Sequence, residues 1–364
     1  MRLLIAGGGT GGHLFPGIAV AEEFLARKKG NEVLFVGTGK GIEARVLPKL
    51  GYQLECITAA GIRGKGSVAR AKGLAKFLYG YAQSRKILKE FKPDLVLGVG
   101  GYASAPALLA ARGLQIPRFI HEQNAIPGFT NKMLATVAER VFISLEESRK
   151  LFTEERTRLT GNPLRRQILE QVALAPQEER ADDAFHLLVF GGSAGAHRIN
   201  LTMGEVLPYL EDLKGKLRIT HQTGENDLEE VTAVYEEQGF AADAVAFIDS
   251  MADAYRWADL IVCRAGATTI AEITACGKPC IFIPYPHAVD DHQRRNAEAL
   301  LKRGAGFSII EKELSGEVLA KAIRELMEDP ARLKAVGEAA QGLARLDAAQ
   351  VIVDEMMTSK RKEK

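Results

Sequence analysis

The chain predicts an α/β protein of two Rossmann-like domains, each built on a parallel sheet, the two facing across a cleft. Three observations carry this. Strand-like runs alternate with helical patterns along all 364 residues, which is the signature of βαβ units. The strand runs are continuous in Leu, Val and Ile rather than alternating, as in strands buried on both faces of a parallel sheet. Two glycine turns also echo one another: "GGGTGG" (Gly7–Gly12) follows the first strand of the first half, and "GGSAGA" (Gly191–Ala196) the first strand of the second half.

In the first half the strands expected are "RLLIA", "EVLFVG", "DLVLGVG", "RFIHE" and "RVFIS". In the second they are "HLLVFGG", "LRITHQ", "AVAFI", "DLIVCRAG" and "PCIFIP". Periodicity breaks at "TGNPLRR" (Thr160–Arg166), where Gly, Asn and Pro cluster. The domains expected are therefore 1–162 and 163–344, with a helix over about 345–360 packing back onto the first. Ligands of open α/β sheets bind beyond the carboxyl ends of the strands, and the glycine turns lie there.

Composition narrows the function. Hydrophobic residues make up 46% and charged residues 26%, an ordinary globular balance, and the net charge of +2 gives no global nucleic-acid signature. Four cysteines suit a reducing compartment better than a disulfide scaffold. Cys276 and Cys280 with His287 and His292 have spacings too short for a structural zinc site. The opening "MRLLIAGGG" lacks a signal-peptide core, and no apolar stretch approaches the ~18 residues of a membrane span. A soluble or peripheral protein is expected.

Glycine allows backbone amides to approach a bulky anion, and a following helix adds its positive end. "GGGTGG" contains G-x-G-x-x-G, yet a dinucleotide site also wants an acid at the end of the second strand, where this chain has Gly37 and Thr38. A dehydrogenase is disfavoured accordingly. His13 stands at the start of the first helix. A helix N-terminus disfavours an imidazolium, and an uncharged imidazole in a cleft accepts a proton from an attacking hydroxyl; a ring bonded only to its own loop is the alternative. In "CRAGATTIAEI", Thr269-x-x-Glu272 fits a capping box, and Glu272 also fits a carboxylate that holds ribose hydroxyls. Gln293 and Asn296 are three apart on the next helix and share a face, open to sugar hydroxyls or to solvent.

Seven motifs then occur in one order over nearly the whole chain: "GGGTGGHLFPGIAVA", "GGYASAP", "HEQNAIPGFTNK", "GNPLR", "GGSAGA", "FIDSMADAYRWADLIVCRAGATTIAEI" and "DDHQRRNA". The set resembles glycosyltransferase family 28, of GT-B fold. The resemblance implies inverting transfer of N-acetylglucosamine from UDP-N-acetylglucosamine to the 4-hydroxyl of an undecaprenyl-pyrophosphoryl-muramyl pentapeptide. It implies an acceptor- and membrane-facing first domain and a donor-binding second domain. By the same resemblance Thr10, Gly11, Gly12 and Asn124 touch the donor, and Arg165 and Ser193 lie at the diphosphate and nearby sugar. Ile248 meets uracil through its backbone. Ala267, Thr268, Thr269, Ile270, Ala271 and Glu272 form the nucleotide-binding loop and helix, with Glu272 on the ribose. Gln293 contacts the transferred sugar with Asn296 beside it, and His13 is the candidate base. No cofactor and no metal are expected, since no Asp-x-Asp occurs in the chain. Another GT-B nucleotide-sugar enzyme such as an epimerase, and a non-enzymatic nucleotide-sugar sensor, are the alternatives.

From Arg63 to Lys92 the chain carries nine Lys or Arg and one acid, Glu90. Leu74, Phe77, Leu78 and Tyr81 recur at helical spacing, with Ile62, Arg63 and Lys65 just before. The expectation is a basic-apolar patch on an anionic leaflet, here the cytoplasmic face of the inner membrane, where a polyprenyl-linked acceptor and other cell-wall enzymes reside. The bland alternative is a helix with one core face and a solvated rim.

Overall fold

The computed structural model describes residues 1–59, 67–173, 183–192 and 195–361. It divides into two compact units, Met1–Arg166 with Arg345–Lys364, and Gln167–Ala344.

Unit 1 runs β1 (Arg2–Gly7), α1 (Gly11–Arg27), β2 (Glu32–Gly37), α2 (Glu43–Lys49), β3 (Gln53–Cys56), α3 (Ser67–Phe91), β4 (Leu95–Gly100), α4 (Ser104–Gly113), β5 (Arg118–Glu122), α5 (Phe129–Ala135), β6 (Arg140–Ile143) and β7 (Thr157–Leu159). Helix α6 (Arg166–Ala173) follows. The seven strands lie in the order β3-β2-β1-β4-β5-β6-β7, and every pairing is parallel. β1 is buried from Leu3 onward because helices cover both faces of the sheet. One face packs Leu14, Ile18 and Phe24 of α1 against Leu3, Ile5 and Leu97; the other packs Leu108 and Ala111 of α4 against Leu4 and Val96.

Unit 2 runs β8 (Phe185–Phe190), α7 (His197–Val206), β9 (Leu217–Gln222), α8 (Leu228–Gln238), β10 (Ala241–Val245), α9 (Met251–Trp257), β11 (Leu260–Cys263), α10 (Ala267–Ala275), β12 (Cys280–Phe282), α11 (His292–Leu301), β13 (Phe307–Ser308), α12 (Gly316–Met327) and α13 (Pro330–Gln341). Its six strands follow β10-β9-β8-β11-β12-β13, again all parallel. The last helix, α14 (Ala348–Arg361), belongs to unit 1, where Ile352, Val353 and Met356 join the core beside α1. In each unit the strand order reverses beside the first strand, at β1/β4 and β8/β11, and crevices for ligands open at such points.

The strand expected at "AVAFI" (Ala244–Ile248) is shifted toward the N-terminus. β10 is Ala241–Val245, an edge strand paired only with β9, and Phe247 is exposed beyond its end. The apolar run that suggested a buried strand is partly loop.

A polar cluster is sealed beneath the carboxyl end of β9. His221 donates from Nε2 to Asn200 Oδ1 at 3.0 Å and accepts at Nδ1 from the Tyr235 hydroxyl at 2.9 Å. Asn200 Nδ2 donates to the Thr223 carbonyl at 2.8 Å and to Asp227 at 2.7 Å. Burial lowers the His221 pKa from 6.5 to about 4 and pushes the Tyr235 phenol up, so it remains a donor. Below pH 6.5 the unfolded chain takes up a proton at His221 that the folded chain refuses until about pH 4. The stability that His221 contributes is therefore present above pH 6.5 and is lost as pH falls toward about 4, and buried His121 adds to the decline in the same window. Urea midpoints measured down the window should fall, and His221→Gln should flatten the decline; equal slopes would contradict this.

Candidate functional site

The first glycine turn joins β1 to α1. Gly8 and Gly9 adopt φ of 131° and 89°, a region that strains any side chain. The turn is held by Glu43, buried at the start of α2. Its carboxylate accepts from the Gly9 amide at 2.7 Å, the Thr38 amide at 2.9 Å and the Thr38 hydroxyl at 2.9 Å. The acid missing from the end of β2 is thus present a few residues on, but it faces the glycine turn instead of a ribose. Sequence reading passed over it; its one signal is an acid set among glycines in "GTGKGIE".

Thr10 caps α1 through its carbonyl, which accepts from the His13 and Leu14 amides at 3.2 and 3.1 Å. Gly9 and Thr10 are exposed, while Gly11 and Gly12 are half-buried at the helix start. The half-buried His13 ring lies against the backbone of Gly100, where a Cβ would sit 2.7 Å from Nδ1. His13 Nδ1 is 3.1 Å from Gln123 Oε1. Gln123 belongs to "HEQN" and was not among the expected site residues. Its neighbours staple the following loop. Buried Glu122 accepts from the Asn124 amide at 2.9 Å, the Asn124 side chain at 3.2 Å, the Gly128 amide at 3.1 Å and Asn131 Nδ2 at 2.8 Å. His121 is fully buried, and burial holds its pKa down at about 4. Arg165 lies in unit 1, with its guanidinium 4.7 Å above the Phe15 ring.

The second glycine turn leaves β8. Gly192 and Gly195 have φ of 109° and 75°, and the Gly195 amide donates to the Gly192 carbonyl at 2.9 Å. Ser193 lies outside the described residues. Buried Gln222, the last residue of β9, donates to the Gly192 carbonyl at 2.7 Å and accepts from the Ile248 amide at 3.0 Å. Of the Ile248 backbone expected to meet uracil, the N–H is engaged within the protein in this structure.

Helix α10 begins at Ala267 with Gly266 as its N-cap and no side-chain cap. The Thr269–Glu272 capping box does not form, because both residues lie inside the helix. Thr268, Thr269 and Ala271 are half-buried, while Ile270 packs inward. Glu272 is buried and accepts from the Tyr255 hydroxyl at 3.0 Å, which fixes the orientation of its carboxylate. Arg264, just before the helix, donates to the carbonyls of Ile283 and Pro284 at 3.1 and 3.3 Å and pairs with Glu311. On α11, Gln293 Oε1 accepts from the Tyr285 amide at 3.0 Å. Asn296, on the same helix, is turned inward. It has no accessible surface in this structure and donates to the Ala265 carbonyl at 3.2 Å, so it braces the loop ahead of α10.

The stripe on α3 is also corrected. Phe77 and Tyr81 pack on the core of unit 1, whereas Leu74 and Leu78 are 53% and 58% exposed. Tyr79, absent from the expectation, joins them at 60% exposure, beside exposed Lys72 and Lys76. The one-face stripe straddles the edge of the core, with Phe77 and Tyr81 on its buried side and Leu74 and Leu78 on its exposed side. Ile62, Arg63 and Lys65 lie outside the described residues. Among the described residues no group of three His, Cys, Asp or Glu side chains gathers to hold a metal ion, and no helix is long and apolar enough to cross a membrane.

The glycosyltransferase family 28 N-terminal domain matches residues 3–143, and the family's C-terminal domain matches residues 186–352. A Geobacter metallireducens protein named UDP-N-acetylglucosamine--N-acetylmuramyl-(pentapeptide) pyrophosphoryl-undecaprenol N-acetylglucosamine transferase is 93% identical over all 364 residues, with both chains fully covered. The crystal structure of Acinetobacter baumannii MurG matches with a TM-score of 0.79 at 33% identity, covering 98% of this chain and 99% of that one. A Neisseria meningitidis UDP-GlcNAc 2-epimerase bound to UDP-GlcNAc matches at 0.70 with 14% identity, covering 98% of this chain and 100% of that one, a likeness of fold alone.

Replacing Glu43 with Gln sets an NH2 group against the amide of Gly9 or of Thr38, a donor facing a donor in a buried site. Glu43→Gln should cost about 2 kcal/mol of unit 1 stability in urea unfolding. An unchanged midpoint would contradict the bracing role.

Proposed function

The chain belongs to glycosyltransferase family 28, and from that premise we propose that it transfers N-acetylglucosamine from UDP-N-acetylglucosamine to the lipid-linked muramyl pentapeptide, completing the peptidoglycan precursor. The observation that carries this is full-length 93% identity to a relative bearing that name. The enzyme is a hexosyltransferase. The epimerase alternative rests on likeness of fold alone.

The reaction is a displacement with inversion. The muramyl 4-hydroxyl oxygen attacks the anomeric carbon, the bond from that carbon to the β-phosphate oxygen breaks, and UDP departs with the bonding pair. His13 takes the hydroxyl proton. Glu272, its carboxylate oriented by Tyr255, accepts the ribose hydroxyls. Gln293 contacts the sugar, and Thr10, Gly11, Gly12 and Asn124 line its approach. Charge developing on UDP is met by the amides that open α10 at Ala267–Thr269, and the family resemblance assigns Ser193 and Arg165 to the diphosphate. Leaving-group stabilisation thus comes from backbone dipoles and a guanidinium, consistent with a chain that has no Asp-x-Asp.

The acceptor is anchored in lipid, so the enzyme works as a peripheral protein on the cytoplasmic face of the inner membrane. Leu74, Leu78 and Tyr79, with Lys72 and Lys76, make the contact with the anionic leaflet.

Incubation with radiolabelled UDP-N-acetylglucosamine and lipid-linked acceptor in anionic vesicles tests these statements together. Label should pass into a lipid-soluble product at a rate EDTA leaves unchanged. The double variant Leu74→Glu/Leu78→Glu should lose co-sedimentation with the vesicles while still binding UDP. Free UDP released without acceptor would favour an epimerase, and tight UDP binding without turnover a sensor. Activity abolished by EDTA and restored by a divalent cation would overturn the metal-free scheme.

A further inference from the structure

In unit 1 a hydrogen-bond chain runs from His13 into the protein, and its directions are fixed by groups that have only one role. The Val99 carbonyl can only accept, and it lies 2.9 Å from the Gln123 amide nitrogen. That nitrogen is therefore the NH2, and the oxygen of the same amide is the atom facing His13 Nδ1 at 3.1 Å. An amide oxygen cannot donate, so His13 Nδ1 must carry a proton. The reversed amide would set its oxygen against the Val99 carbonyl and its NH2 against the ring.

The second NH of Gln123 faces His121 Nδ1 at 3.0 Å, with the His121 carbonyl also in reach at 3.3 Å; Nδ1 is the accepting nitrogen because the other ring nitrogen faces a carbonyl. His121 Nε2 carries that ring's proton and faces the Gly161 carbonyl at 3.3 Å and the Ser144 hydroxyl at 3.2 Å. The Ser144 hydroxyl donates onward to Asn162 Oδ1 at 3.4 Å. The two imidazoles are thereby set in opposite tautomers by one buried amide. Gly100 completes the arrangement, since a side chain there would occupy the space of the His13 ring.

We infer that Gln123 is a positioning residue for the transfer reaction: it holds His13 as the Nδ1–H tautomer and so presents the Nε2 lone pair as the base. Free histidine in water favours the Nε2–H form, in which that lone pair is absent. A ring without Gln123 would have to change tautomer before it could take the acceptor's proton through Nε2. The inference rests on the reading of His13 as the base, and Gln123 itself touches no reacting atom.

Imidazole nitrogen shifts in protein labelled with 15N-histidine read the tautomers directly, without altering the chain. His13→Gln and His121→Gln identify the two signals among the seven histidines. In the unsubstituted protein His13 should show a protonated Nδ1 and a bare Nε2, and His121 the reverse. An Nε2–H ring at His13 overturns the inference.

Gln123→Met keeps the volume and removes the hydrogen bonds. It should lower kcat roughly tenfold or more with KM for UDP-N-acetylglucosamine unchanged, and shift the His13 signal toward the Nε2–H form. A residue with a merely structural role would reduce the folded fraction and leave kcat per folded molecule intact, and that result also overturns the inference. Should Gln123→Met fail to fold, the tautomer of the unsubstituted protein still decides. The underlying reading has its own test: a His13→Gln enzyme that retains full transfer shows that His13 is not the base, whatever its tautomer.

Discussion

The structure depends on buried polar side chains that accept or donate at the glycine turns. A loop such as Gly7–Gly12 has few side chains to pack and much conformational freedom to lose. Left to itself it would sample many shapes, and its amides would not aim at anything. Glu43 removes that freedom by taking the Gly9 amide while anchored to Thr38. Gln222 does the same in unit 2, joining the Gly192 carbonyl to the Ile248 amide. Both side chains are buried, so a broken bond would leave a desolvated group without compensation. That penalty favours a single loop conformation over a loose set.

The chemistry follows from this rigidity. Amides at helix starts stabilise an anion only when their direction is set before the ligand arrives. The same holds for a base, whose protonated nitrogen must be the one remote from the substrate. Unit 1 applies the rule to His13 through Gln123 and the bare Gly100 backbone, and unit 2 applies it to Glu272 through Tyr255. In each case the group proposed to meet substrate is held by a neighbour that does not.

The central strands were legible because burial on both faces writes a continuous apolar run, as in Leu3–Ala6 and Leu260–Cys263. Edge strands write no such run: β3 is mostly exposed, β13 is two residues long, and β10 was displaced in the reading by the apolar loop that follows it. The glycine turns and the motif residues could be named in advance. Their partners could not, since Glu43 meets Gly9 across 34 residues and Gln123 meets His13 across 110. Short-range rules also misled. Thr269 and Glu272 have capping-box spacing, but Gly266 starts the helix; Leu74 to Tyr81 has one-face spacing, but the core takes Phe77 and Tyr81. Spacing records which residues are neighbours on a helix and leaves open which side the fold buries.

The central claim is that the turns are set before any ligand binds, and residue-resolved amide hydrogen exchange on the free protein tests it most directly. The Gly9 and Ile248 amides lie in loops outside the sheets, yet each is given to a buried side chain. The account predicts that both exchange slowly, closer to amides of the central strands than to those of open loops. Exchange at both at the rate of an unstructured chain would show that the turns are not held, and would contradict the account.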